Sequence, residues 1–234
     1  MTEIVLYIAT LCAVVLSVFA QIYVSSTFRR HSRQATLRGQ SAEMVARYVL
    51  DEAGCDDVII ERVGGSLTDH YDPRTKTLRL SDSVYGNASS AAIGVACHEA
   101  GHAIQHRAHY FPVKVRSALV PVTNFVSRFW SIALILGVVL TFLVPSGGMF
   151  GTVLMFVGIG AFSVSTLFQL VTLPCEFDAS KRALRAMRST GYFEKRELAS
   201  AKKVLSAAAL TYIASALVSI LQLLRIILIF RRRR

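Results

Sequence analysis

The hydrophobic positions of this chain form four long runs, separated by stretches rich in lysine and arginine. Residues 4–24 contain no charge and are long enough to cross a bilayer as a helix. No basic segment precedes this run and no small-residue cleavage site follows it, which favours an uncleaved anchor over a signal peptide. Runs at 129–144 and 149–173 are separated by Pro145-Ser146-Gly147-Gly148, which predicts a helical hairpin with a short uncharged turn.

The fourth run, 204–230, is less simple. Six polar residues recur along it at three- to five-residue spacing, so a polar stripe follows one face of the predicted helix. A crossing helix that packs this stripe on its neighbours is favoured, although a helix lying in or re-entering from the interface stays open. A crossing would place Arg231-Arg232-Arg233-Arg234 outside, against the positive-inside tendency. The stripe is formed by Ser206, Thr211, Ser215, Ser219, Gln222 and Arg225.

Composition supports a membrane protein. The chain is 53% hydrophobic with a net charge of +11, and its mean hydropathy is +0.47, which is too apolar for an ordinary soluble domain. The basic residues flank the apolar runs, so contact with anionic lipid headgroups explains them better than nucleic acid does. Their distribution predicts an outer N-terminus, with residues 25–128 and 174–203 in the cytoplasm.

Between the first two runs, the pattern predicts a small region of mixed secondary structure. Helical spacing over residues 42–53 ends at Gly54, and residues 58–60 and 77–81 have the pattern of strands. The edge of a strand can pair with an extended peptide, and residues 77–81 are the candidate for such a strand, with a purely structural strand as the alternative. His70, beside the turn at 71–74, is expected to make local hydrogen bonds rather than to stabilise a reaction intermediate.

The candidate chemistry lies in His98-Glu99-Ala100-Gly101-His102. Residues four apart stack on one helix face, so both imidazoles can reach one zinc ion, with Glu99 beside them as a general base. This is the H-E-x-x-H pattern of metallopeptidases. Ser89 or Ser90 can cap the helix, and the small residues that follow allow deep burial.

A catalytic zinc site needs a third protein ligand. Position 108 is alanine, which excludes the metzincin pattern, and His106 lies too far along the same helix to reach the metal. Glu176, in the first turn of a helix predicted to start at Pro174 and stop at Gly191, would complete a His-His-Glu site. Two predicted crossings separate His102 from Glu176, so both lie on the same membrane face.

These residues resemble the YugP-type neutral zinc metallopeptidases of bacterial membranes and, more distantly, the HtpX and CAAX prenyl protease group of gluzincins. The resemblance rests on His98-Glu99-Ala100-Gly101-His102-Ala103-Ile104-Gln105, on residues 176–183 and on residues 69–81. It implies that Glu176 is the third ligand. Ser180 stands where the distant relatives have aspartate, and Asp178 is an alternative group for orienting a ligand histidine.

The sequence therefore predicts a mainly α, integral-membrane protein with a small α+β zincin-like region. Its predicted segments are an anchor (1–24), a cytoplasmic region (25–128), a hairpin (129–173), cytoplasmic helices (174–203) and a C-terminal helix with a basic tail (204–234).

The predicted function is a multi-pass cell-membrane zinc endopeptidase with one Zn²⁺ per chain and a membrane-associated polypeptide substrate. The alternatives are a zinc hydrolase of a non-peptide membrane substrate and an idle scaffold stabilised by zinc. The four cysteines lack metal-site spacing and are expected to stay reduced without binding the metal.

Overall fold

The computed structural model describes residues 2–144, 148–191 and 193–231. Helices dominate the described chain, which confirms the mainly α class, and four of them are long and apolar enough to cross a membrane. The elements are α1 (Thr2–His31), α2 (Ala42–Glu52), β1 (Ile59–Val63), β2 (His70–Asp72), β3 (Thr77–Ser81), α3 (Ser90–Arg107), α4 (Phe111–Leu143), α5 (Gly148–Ser189) and α6 (Lys195–Arg231).

The chain divides into two compact units. The first comprises Met1–Val18, Val115–Leu173 and Tyr212–Arg234, and the second comprises Phe19–Lys114 and Pro174–Thr211. Large apolar side chains of the first unit face outward, as at Ile135 (66% exposed) and Phe150 (71% exposed). Such an apolar surface is expected of helices that contact lipid.

All four long helices extend beyond their apolar runs. Helix α4 begins at Phe111 and not near 129, and α5 continues to Ser189 through Pro174. The prediction that a new helix starts at Pro174 is therefore wrong. Pro174 lies inside α5, although proline has no N–H to donate to the helical hydrogen-bond pattern. Gly191 follows the helix end with a φ of +65°, as the sequence predicts for a stop. The hairpin turn at 145–147 and the tail at 232–234 lie outside the described residues.

The second unit contains a three-stranded sheet in the order β1-β3-β2. Strand β3 pairs parallel with β1 along its full length and antiparallel with β2. The candidate substrate strand, residues 77–81, is thus the central strand. Its backbone groups are already engaged by two neighbours, so the prediction that it pairs with a substrate is wrong.

Helix α3 lies in the core of this unit. Ser89 caps it by accepting a hydrogen bond from Ala92 N, as the sequence predicts. Its small side chains are fully buried, and α2 packs against it, with Gly54 at φ +66° just beyond the end of α2. A core of alanine and cysteine lets other helices approach α3 closely. The fully buried apolar side chains of α3 are Ala91, Ala92, Ile93, Ala96, Cys97 and Ala100.

Candidate metal centre

Three side chains that are distant in sequence converge in the second unit. His98 and His102 stack one turn apart on α3, with ring centroids 4.9 Å apart. Glu176, on α5, is only 3% exposed, and its Oε2 lies 3.1 Å from Nε2 of His98 and 3.5 Å from Nε2 of His102. One ligand atom from each residue lies within 4.8 Å of the other two.

A glycine between the two histidines permits this convergence. A Cβ placed on Gly101 would lie 2.8 Å from the carbonyl oxygen of Ala179 on α5 and 3.3 Å from its Cα. The α3 and α5 backbones therefore touch at this point, with no room for a side chain. Because Ala179 is one turn from Glu176, the close approach brings the carboxylate within reach of both imidazoles.

The far side of the His102 ring is held by Gln105. The Gln105 amide nitrogen donates to the Cys175 carbonyl and to Asp178 Oδ2, both at 2.8 Å. Its Oε1 therefore faces His102 Nδ1, 3.0 Å away. A carbonyl oxygen only accepts, so Nδ1 carries the proton, and Nε2 of a neutral His102 directs a lone pair at the Glu176 carboxylate.

Such an arrangement calls for a cation. Two acceptor atoms facing each other repel unless a proton or a metal lies between them. Ligand atoms 2.0–2.1 Å from a tetrahedral zinc ion lie roughly 3.3 Å apart, which matches the observed 3.1 and 3.5 Å between Glu176 Oε2 and the two nitrogens. Two imidazoles and one carboxylate suit zinc, whereas magnesium and calcium prefer oxygen ligands alone. The donor set fits zinc.

Hydrogen bonds outside the ligands fix their orientation. Ser180 Oγ lies 3.2 Å from Nδ1 of His98, so a serine hydroxyl contacts this ring. Asp178 does not orient a histidine directly in the described contacts. It accepts from Gln105, which contacts His102, and from Arg182 Nε at 2.6 Å. Both ligand rings are thus oriented by neutral partners.

Glu99 lies beside the ligands, next to the sheet. Its Oε2 accepts a hydrogen bond from Tyr71 N of β2 at 3.1 Å. Burial raises the pKa of Glu99 above its usual value, the two imidazoles lower it, and the Glu176 and Asp69 carboxylates raise it further. A buried carboxylate with a raised pKa beside a metal site is suited to accepting and returning a proton.

The other candidates lie outside the ligand set. The His106 ring packs against Tyr71 with centroids 5.7 Å apart, and His70 Nδ1 contacts the Thr68 carbonyl at 2.9 Å, the local hydrogen bond expected of it. Burial raises the pKa of the Cys97 thiol to about 12, so it remains protonated.

Sequence reasoning missed the roles of Gln105, which contacts His102, and of Tyr71, which contacts Glu99. The position of Gln105, three residues after His102 on the same helix face, was an available signal. Nothing local pointed to Tyr71, whose backbone N–H reaches Glu99 across the fold.

In the described part of the chain, four apolar helices indicate a membrane protein, and two histidines on one helix with a glutamate on another form a candidate metal site. The chain belongs to the family described as "Putative neutral zinc metallopeptidase", whose model matches residues 6–231. It is similar to the "Putative membrane protease YugP" of Bacillus subtilis (strain 168), with 45% identity over 224 residues and 94% of each chain covered. No solved structure matches it.

Proposed function

We propose that this protein is a zinc-dependent endopeptidase of the gluzincin type, in which the H-E-x-x-H pair His98 and His102, together with Glu176, holds one zinc ion per chain. The observation that carries the proposal is the meeting of both Nε2 atoms at one Glu176 oxygen while Gln105 keeps the His102 proton on Nδ1. This site would be left with facing lone pairs unless it held a cation.

Zinc in such a site acts as a Lewis acid that polarises a scissile carbonyl and acidifies water. Within the chain itself, Glu99 is the general base: its carboxylate accepts a proton from the attacking water and returns it to the leaving amine. The Tyr71 N–H fixes Oε2 of Glu99, and burial raises its pKa towards the range in which both transfers are efficient.

The substrate backbone would lie along β2. This strand is an edge of the sheet, and its Tyr71 N–H points away from β3 to reach Glu99. Extended peptides bind to strand edges through backbone hydrogen bonds, and the Tyr71 N–H, which already donates to Glu99, would not be one of those bonds. This position would align a peptide bond of the substrate with the Glu99 carboxylate.

The cellular setting follows from the charge distribution. Residues 25–128 and 174–203, which carry the ligands, are proposed to face the cytoplasm because lysine and arginine concentrate there. Polypeptides associated with the membrane are then the expected substrates. A Thr75→Cys variant tests this orientation, since a membrane-impermeant maleimide should label the exposed turn in inverted vesicles and not in intact cells.

Metal analysis of purified protein, beside a casein digest, tests the site. Wild type should hold about one zinc per chain, and His98→Ala and Glu176→Ala should lose it. His106→Ala is the matched control on the same helix and should retain zinc. Glu99→Gln should also retain zinc while cleavage falls by roughly 10²–10⁴-fold.

Each assignment can fail separately. Zinc retained by Glu176→Ala would remove that ligand from the site, and undiminished cleavage by Glu99→Gln would remove the base. A zinc-loaded wild type that never cleaves casein or a peptide library would favour the hydrolase of a non-peptide substrate or the zinc-stabilised scaffold.

A further inference from the structure

A polar cavity lies away from the candidate metal centre, within the same unit. It has a volume of about 450 Å³ and is bounded by the C-terminal part of α1 and the N-terminal part of α6. Pockets of this size commonly hold small ligands or headgroup-sized parts of larger ones. No residue of the candidate metal centre lines this cavity.

The two helices present matched faces to this cavity. Arg196, Ser200 and Lys203 are spaced at i, i+4 and i+7, so they share one face of α6. On α1, Thr27 and Arg30 share a face in the same way, with His31 beside them. Polar side chains from two helices thus line one partly open cavity.

The charge of the cavity is one-sided. Arg30, Arg196 and Lys203 line it, and no acidic side chain does so among the residues that the structure describes. Glu197, which belongs to the same turn of α6 as Arg196, accepts hydrogen bonds from the backbone N–H groups of Leu37 and Glu194 at 2.9 and 2.7 Å. Three cations without a facing carboxylate repel one another, and an anion between them removes that repulsion.

Polar donors complete the lining. His31 borders the cavity; its ring makes a hydrogen bond with Gln34, and its buried Nδ1 has no hydrogen-bond partner within the described part of the chain. Tyr23 and Thr27, which carry hydroxyl groups, also line the cavity. A phosphate group has both the charge to match the guanidinium and ammonium groups and several oxygens to accept from such donors.

The level of the cavity along both helices indicates where the phosphate comes from. Residues 4–24 of α1 and 204–224 of α6 contain no charge, and the cationic lining residues lie just beyond these stretches. Both helices therefore change from apolar to charged at the cavity. Phospholipid headgroups occupy this level of a membrane.

We propose that this pocket, formed by Arg30, His31, Arg196, Ser200 and Lys203, binds the phosphate of an anionic phospholipid headgroup. A free phosphate ion shares the same chemistry and is the competing source. The proposal is independent of the zinc site, since the two share no residue.

The test uses the full chain in neutral detergent, with dioleoyl phosphatidylglycerol as the anionic probe, dioleoyl phosphatidylcholine as the zwitterionic one and inorganic phosphate as the soluble one. Native mass spectrometry counts the retained lipid, and thermal unfolding reports the stabilisation that binding confers. Wild type should retain one phosphatidylglycerol per chain and melt at a higher temperature with it than with phosphatidylcholine.

Paired variants separate the pocket from general surface charge. Arg30→Gln with Lys203→Gln removes two cations from the cavity and should weaken phosphatidylglycerol binding by about tenfold or more. Arg29→Gln with Lys202→Gln removes two cations one position away, off the lining faces, and should weaken binding by less than about twofold. Both variants lower the net charge equally.

A third variant guards against a folding artefact. Ala199→Glu places a carboxylate on the exposed cavity wall at a helical position that glutamate favours. It should abolish lipid retention without lowering the melting temperature in the absence of lipid. Equal losses in the two double variants would overturn the pocket, and stabilisation by inorganic phosphate with no added effect of phosphatidylglycerol would overturn the lipid assignment.

Discussion

Replacing Gln105 with leucine tests how the candidate metal centre is oriented. Gln105 is fully buried and makes three hydrogen bonds, to His102 Nδ1, the Cys175 carbonyl and Asp178 Oδ2. Leucine fills a similar volume but satisfies none of these groups. Arg182 still pairs with Asp178, and the Cys175 carbonyl lies inside the continuous helix α5, so the group that chiefly loses its partner is the His102 N–H.

Two separate magnitudes follow from this loss. A buried polar group left without a partner costs about 1–3 kcal/mol, so the free energy of unfolding should fall by about that amount. Loss of a hydrogen bond that orients a ligand histidine typically weakens metal binding by roughly 10–100-fold. Zinc affinity, measured by competition with a chelator at fixed pH, should fall by that factor, and thermal unfolding of the zinc-free protein reports the stability loss.

Two further substitutions separate orientation from stability. Gln105→Glu keeps a side-chain oxygen that accepts from His102 Nδ1, so zinc affinity should be retained. Its second oxygen would face the Cys175 carbonyl and the Asp178 carboxylate, which are both acceptors, so stability should fall. Ser180→Ala removes the partner of His98 Nδ1 at a partly exposed position where water can replace it, so affinity should fall by less than about tenfold. Unchanged zinc affinity in Gln105→Leu would refute the argument that this amide sets the His102 tautomer.

The remaining predictions concern packing and pH. Gly101→Ala should lower the free energy of unfolding by about 1–3 kcal/mol, because the new Cβ would lie 2.8 Å from the Ala179 carbonyl oxygen. Gly160→Ala is the control: its Cβ meets no atom within 4 Å, so thermal unfolding should show a neutral or slightly stabilising effect. Burial raises the pKa of Asp69, so its contribution to stability is fully present below its unfolded-state pKa and is lost as pH rises through its folded-state pKa. Asp69→Asn can keep both hydrogen bonds to Ser81, at 2.7 and 3.0 Å, and should remove this pH dependence of stability. If the melting temperature of this variant follows the same pH profile as wild type, the prediction is wrong.

Helix periodicity and charge distribution made much of this protein accessible from its sequence. Four residues separate His98 from His102, and that interval puts two side chains on one helix face wherever the helix packs. The long apolar runs likewise identified four helices, because the length of a run and its lack of charge can be read from local sequence. The cap at Ser89 and the stop at Gly191 were likewise local.

Tertiary structure decided the features that depend on residues far apart in the chain. The strand at 77–81 was predicted, but its alternation could not show that both neighbours would cover it and leave β2 as the edge beside Glu99. Gln105 meets Cys175 and Asp178 only because α3 and α5 touch at Gly101. Local sequence determines which face of its own helix or strand a side chain occupies, whereas packing between elements determines which partner it meets there. This packing orients the side chains of the candidate metal centre.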